Sequence, residues 1–203
     1  MRIGFIGAGV VAQTISKHAV AVGHRVLLSN TRGPDSLAPL VKDLGSGAEA
    51  GTPQQATEQD IVVLAAHWPD VQKALFSIPD WKGRVLVDTT NRLAGLTPLT
   101  VGDISGRTSS GIVADLAPGA RVVVKAFNSV PMAWISDFSP SKPRTVLFIS
   151  GDDPDAKKPV HNLIEEIGFE SVDLGSLAVG GRLQQLGGPL AGIRLTFLER
   201  FSL

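Results

Sequence analysis

Apolar positions along this chain fall into short unbroken runs, separated by longer stretches in which they recur every three or four residues. Runs at 2–6, 25–29, 61–66, 84–88 and 121–126 have the length and aliphatic character of strands buried on both faces. Between the first two, Val11, Ile15, His18 or Ala19, and Val22 fall on one face of a predicted helix over 10–22, which Gly23 closes. Pro34 suits the first position of a helix running to about Leu44. Residues 48–50 read as a short strand, 54–57 as helical, 68–76 as a helix and 112–116 as helical. The stretch 92–110 is irregular, rich in Gly, Thr and Ser, and longer than an ordinary connection, which marks it as functional or mobile. Strands alternating with helices predict an α/β fold with a doubly wound, mainly parallel sheet.

After Ala126 the rhythm changes. A helical turn is expected at 131–135 and a strand at 145–150. Asp153 is placed to cap a helix with Pro154 inside it, ending at Gly168, and 169–174 forms a final strand. The tail from Leu177 reads as helical, interrupted by Gly187-Gly188-Pro189. The chain therefore divides into a Rossmann-type domain over 1–128 and a small C-terminal α/β extension over 129–203.

Composition narrows the chemistry. The 19 basic and 19 acidic residues cancel, which gives no electrostatic reason to expect nucleic acid or an acidic membrane surface. Cysteine is absent, excluding disulfides, thiolate catalysis and cysteine-held metal, and no His/Asp/Glu set has metal-ligand spacing. Tyrosine is absent too, so a Tyr-x-x-x-Lys acid is unavailable. The amino end lacks a signal-peptide pattern, and no apolar run approaches the ~20 residues of a spanning helix. The expectation is a cytoplasmic protein acting on small molecules.

Candidate chemistry begins at Gly7-x-Gly9-x-x-Ala12, between the first strand and the first helix. Gly7 permits a tight turn, Gly9 lets a pyrophosphate approach the backbone, and Ala12 lets the helix lie close on the sheet. Residues Gly7, Ala8, Gly9, Val10 and Val11 thus form a candidate phosphate loop on a helix amino end. An NAD enzyme usually closes its second strand with Asp or Glu, for the ribose 2′-hydroxyl. Here Ser29, Asn30, Thr31 and Arg32 stand instead, a set that donates hydrogen bonds and brings a guanidinium suited to a 2′-phosphate. The pattern predicts NADP(H).

Ligands in such sheets lie beyond the carboxyl ends of the strands. Ala65 and Ala66 leave room for a ribose, His67, Asn91 and Asn128 can bond ribose or carboxamide, and Ala126 lies in the same row. Trp68 suits helix–sheet packing as well as walling a planar ring, and Asp88 suits a turn cap. His18 reads as core and His161 as a surface helix residue. No acid–base pair stands out, which favours hydride exchange between aligned planar rings over carbonyl reduction.

Four segments together resemble the NADPH-dependent oxidoreductases of the coenzyme F420 type, a family related to the cytosolic domains of membrane ferric reductases. They are Met1 to Gly9, Gly23 to Arg32, Val124-Lys125-Ala126-Phe127-Asn128 and Ser150-Gly151-Asp152-Asp153-Pro154. The resemblance runs to about Leu190, with Gly180-Gly181-Arg182 following the last strand as in the family. It implies a Rossmann fold, NADP(H), and hydride transfer to or from a second ring cofactor, F420 or a flavin. It also implies that the C-terminal tail forms the acceptor side of the cleft and a homodimer contact. By the same resemblance, Gly7 to Val11 and Ser29 to Arg32 hold NADP, while Ala65 to Trp68 and Ala126 to Asn128 flank the nicotinamide. The chain departs from the family at Gly187-Gly188-Pro189 and over 196–203. Two other readings stay open at this point: a reductase of a small carbonyl or imine, as the pyrroline-carboxylate reductases have a related amino-terminal domain, and a redox sensor that binds NADP(H) without chemistry. The apolar tail side chains Leu195, Phe197, Leu198 and Phe201 suit either a dimer contact or a cap on the core.

Overall fold

The structure is a computed structural model that describes residues 1–78, 81, 83–96, 99–120, 122–136 and 143–198. Six parallel strands are ordered β3-β2-β1-β4-β5-β8, with β1 Arg2–Ile6, β2 Arg25–Ser29, β3 Ala48–Gly51, β4 Ile61–Leu64, β5 Val85–Asp88 and β8 Val122–Lys125. The chain leaves β1 toward β2 and β3, then returns to build outward on the other side from β4. The switch point, where ligands bind in open sheets of this kind, therefore lies between β1 and β4. This is the Rossmann-type arrangement that the alternating pattern predicts.

Because side chains alternate across a strand, a strand buried on both faces feeds two cores. Ile61 and Val63 join a cluster with Ile3, Phe5 and Leu28, covered by α1 Val10–Ala21 and α7 Pro154–Glu166. Val62 and Leu64 join the opposite cluster with Ile6 and Leu86, covered by α4 Trp68–Phe76 and α5 Ser109–Leu116. Helix α1 seats Ala12, Ile15 and Ala19, while Val11 is only half-buried and Val22 is exposed. The expected Val11–Val22 face is thus rotated toward the small residues, which allow closer approach to the sheet. His18 is half-buried beside Phe169, and its Nε2 lies 2.9 Å from the Ile135 carbonyl oxygen.

Residues after β8 pack on this frame. The strands β9 Val146–Ile149 and β10 Glu170–Asp173 pair in parallel, and α7 between them bears the predicted Asp153 cap. A single antiparallel bridge, Lys125 to Ser150, ties β9 to β8. Leu147, Ile149, Val160 and Leu163 share the core cluster of Ile3 and Phe5.

Several local expectations are corrected. The stretch 92–110 contains an antiparallel hairpin, β6 Leu93–Leu96 with β7 Leu99–Val101, and then the start of α5. The predicted helix from Pro34 divides into a 3-10 turn Pro34–Leu37 and α2 Ala38–Leu44. In the tail, the described helix is the short α8 Gly180–Gln184. Beyond it the chain turns, and Thr196 bridges to Thr145 alongside β9. Hydrogen bonds to surrounding loops, rather than helical periodicity, hold that segment. The expected strand residue Arg121 and tail residue Phe201 lie outside the described residues. Short helices are α3 Pro53–Ala56, with a Thr52–Gln55 capping box, and α6 Met132–Ser136.

Helix α3 lies directly on β1. A Cβ on Gly4 would sit 1.9 Å from the Ala56 carbonyl oxygen, so only glycine lets these backbones meet. Gly4→Ala should destabilise the fold by about 1–3 kcal/mol, the usual range for an overpacked core. Urea denaturation reads this directly, and an unchanged midpoint would mean that α3 can move away at no cost.

Candidate functional site

A cleft of about 400 Å³ opens at the switch point. One wall is the turn after β1. Gly7 has φ of +107°, and a Cβ there would lie 2.3 Å from the Ala65 carbonyl oxygen after β4. The turn is pinned by Gly7 N–H donating to Ser29 O (3.0 Å) and Ala65 N–H donating to Ile6 O (2.8 Å). Gly9 is the N-cap of α1 and supplies no side-chain cap, and a Cβ on it would meet nothing within 4 Å. The first N–H groups of a twelve-residue helix therefore face open space with the positive end of its dipole. These features fit a bound pyrophosphate.

The second wall is the loop after β2. Asn30 Oδ1 accepts from Arg32 N–H (2.9 Å), and Asn30 Nδ2 donates to Ser36 Oγ (3.0 Å), which sets the course of the loop. Ser29 is completely buried and its hydroxyl donates to Phe5 O at 2.6 Å, so its side chain anchors strand to strand. Thr31 and Arg32 are exposed, and the Arg32 guanidinium has no hydrogen bond or ion pair with a described residue. It is available for an anion.

The third wall comes from α4 and the residues before it. Ala65, Ala66 and the exposed His67 line the cleft, as predicted from their place beyond β4. Asp70, Lys73, Ala74 and Ser77 line it too, and these the sequence reading did not single out. Their spacing of three and four on a helix that leaves the carboxyl end of β4 was the available signal. Of the other sequence candidates, Ala8 lines the cleft, whereas Val10, Val11, Trp68, Asn91, Ala126 and Asn128 do not. Trp68 packs against the second core cluster with the Arg92 guanidinium 6.0 Å over its ring.

Asn91 and Asn128 meet beyond β5 and β8. Asn91 Nδ2 donates to Asn128 O (2.8 Å), and Asn128 Nδ2 donates to Asn91 Oδ1 (3.1 Å) and Gln184 O (2.9 Å). Leu186 N–H donates to Asn91 Oδ1 (3.0 Å), and Gln184 Nε2 donates to Lys125 O (3.0 Å). The tail is thereby stitched to both strand ends. Between these residues Ala126 is completely buried, and Phe127 holds a left-handed φ of 58°.

Beneath them lies a charge pair whose significance the sequence reading missed. Asp88 and Lys125 are register partners on β5 and β8, both wholly buried, with Nζ 3.1 Å from Oδ2. Lys125 Nζ also donates to Thr90 O (2.9 Å) and Ser109 Oγ (3.0 Å). Asp88 accepts from Ser110 Oγ (2.5 Å), Thr90 N–H (2.8 Å) and Thr90 Oγ1 (2.7 Å). Burial pushes the Lys125 ammonium below its ordinary pKa, and the adjacent carboxylate opposes that shift. A lone Asp and a lone Lys some forty residues apart gave no sign that strand register would unite them.

Comparison with known proteins agrees with this geometry. The family model for the NADP oxidoreductase, coenzyme F420-dependent, matches residues 2–92. The chain is 35% identical to the hypothetical protein SMa0349 of Sinorhizobium meliloti, with a TM-score of 0.89 over 97% of this chain and 96% of that one. A candidate F420-dependent NADP reductase from Arthrobacter sp. FB24 is 25% identical, with a TM-score of 0.74 over 87% and 86% of the two chains. Residues 2–92 match this oxidoreductase family, and the likeness to SMa0349 runs over nearly the whole chain. The family is one of NADP-dependent oxidoreductases. Metalloreductase STEAP3 of Rattus norvegicus is also similar, at 30% identity over 179 residues covering 87% of this chain. This chain spans about a third of that protein, matching 34% of its length. Among the described residues, no helix is long and apolar enough to cross a membrane.

Removing one member of the buried pair should be worse than removing both. Lys125→Met leaves a carboxylate uncompensated and should cost about 3–5 kcal/mol of stability. Adding Asp88→Asn should recover most of that loss in the same denaturation experiment. Equal stability of single and double variants would show that the pair carries no net charge coupling.

Proposed function

We propose that this oxidoreductase passes hydride between NADPH and a planar second cofactor, a deazaflavin of the F420 kind or a flavin. The observation that carries the reading is the pairing, in one cleft, of an uncapped helix amino end behind a glycine turn with an Arg32 guanidinium that has no partner among the described residues. The first suits a diphosphate and the second a ribose 2′-phosphate, so the adenosine half of NADP(H) is held between the loop after β2 and α4. The nicotinamide half then extends past Ala65, Ala66, His67 and Trp68 toward Ala126 and the Asn91–Asn128 pair. Those two side chains are amides bonded to each other and to the tail, which fix that end of the cleft but do not exchange protons at neutral pH. When bound, NADPH supplies the hydride; the chain's own groups align the ring and leave the proton to solvent. Residues 1–128 serve the nucleotide in this reading, while 129–203, through α8 and the turns after it, complete the acceptor side. A cytoplasmic location belongs to the same reading, as does a homodimer formed through exposed Leu195 and Leu198.

A second reading is favoured by the likeness to metalloreductases: the electrons pass on to a ferric centre. One assay separates the two. The protein is mixed with NADPH and, separately, F420, FMN, FAD and ferric chelates, while loss of the nicotinamide absorbance is followed. Turnover with a deazaflavin or flavin alone supports the proposal, turnover with ferric chelate alone supports the second reading, and binding without turnover points to a sensor.

The Arg32 contact has its own test. A charge-assisted hydrogen bond contributes about 1.5–3 kcal/mol, so Arg32→Ala should reduce the preference for NADP(H) over NAD(H) about tenfold or more. KM ratios for the two nucleotides measure it, and an unaltered ratio would remove Arg32 from the 2′-phosphate site.

A further inference from the structure

The Val124-Lys125-Ala126-Phe127-Asn128 segment carries a lysine that the proposed hydride transfer does not use. Lys125 is completely buried and does not line the cleft, yet its ammonium bonds three groups: Asp88 at the end of β5, Thr90 in the loop leading to Asn91, and Ser109 at the start of α5. Its own carbonyl oxygen accepts from Gln184 of α8. Asp88 in turn holds Thr90 by two bonds and Ser110 by one. Asn91, three places on from Asp88, and Asn128, three places on from Lys125, therefore leave a common anchor. The second path also crosses a left-handed Phe127, a conformation unfavourable for a side-chain-bearing residue. A backbone held in such a region persists only when its surroundings over-determine it. Here the surroundings are the pair itself, the Ala126 N–H bond to Asp88 O (3.1 Å) and the buried Phe127 ring.

We propose that Asp88 and Lys125 are positioning residues for the nicotinamide end of the bound dinucleotide, clamping the loops that present Asn91 and Asn128 while leaving the adenosine end unaffected. The clamp acts through geometry. The pair is internally neutral and lies below the strand ends, whereas the glycine turn and the Arg32 loop are held by β1, β2 and β4 without it. The inference rests on NADP(H) occupying the cleft in the direction proposed above.

The test needs no acceptor. The variant Lys125→Met/Asp88→Asn removes both charges, so neither is left buried alone. Parent and variant are titrated by calorimetry with NADPH and with 2′-phospho-adenosine diphosphate ribose, which lacks the nicotinamide. The emission of bound NADPH is recorded as a probe of the ring's surroundings. The variant is expected to bind the fragment within about twofold of the parent, to bind NADPH at least about fivefold more weakly, and to lose any emission shift the parent shows. An equal change for both ligands, as a general loosening would give, or no change for either, overturns the proposal. If the double variant does not fold, Ser109→Ala removes one acceptor of Lys125 without altering charge and should show the same pattern at about twofold or more; equal effects on both ligands again overturn it. Fragment binding retained with NADPH affinity unchanged sinks the clamp but leaves the nucleotide reading intact, whereas a parent that binds neither ligand sinks both.

Discussion

The cleft exists because two stretches of backbone meet where the sheet changes direction. After β1 the chain turns through Gly7 so tightly that its missing side chain would overlap the carbonyl group of Ala65 beyond β4. That approach sets the width of the switch-point crevice and aims α1 across it. Any other residue at position 7 would need both a left-handed backbone and room that Ala65 does not leave. The exposed amino end of α1, the course of the Arg32 loop and the line of α4 all follow from how β1, β2 and β4 diverge from this point.

At the other end of the sheet, order is imposed by charge in place of close packing. Burying an ammonium and a carboxylate is costly unless each is matched and its remaining hydrogen-bonding capacity filled. Asp88 and Lys125 meet that condition through Thr90, Ser109 and Ser110. The side-chain and backbone bonds then radiate to Asn91, Asn128 and Gln184. The two ends of the cleft are thus built on different principles. The end at Gly9 and Arg32 has open N–H groups and a guanidinium that no described residue engages, and the far end has polar groups already paired among themselves.

Legibility in the sequence follows the same division. Strands β1, β2, β4 and β5 were readable because burial on both faces demands continuous apolar runs, and α7 because its start carries the Asp153 cap with Pro154. The glycine turn and the Arg32 loop were readable because their chemistry is local: each needs particular residues within a few positions of one another. The hairpin of β6 and β7 was missed because Gly and Thr obscure alternation, and the tail was misjudged as helical because its apolar spacing resembles a helix. What decides the tail is its bonding to Asn91, Asn128, Ser129 and Thr145.

By itself, then, the sequence determined the α/β class, the place of the glycine turn after β1 and the absence of a carboxylate at the end of β2, since these depend on neighbours along the chain. Tertiary structure alone decided that Ser29 turns inward to Phe5, that α4 lines the cleft with Lys73 and Asp70, and that Asp88 lies opposite Lys125. Those outcomes depend on strand register and helix rotation, which are set by how the whole core closes and leave no trace in the spacing of any single segment.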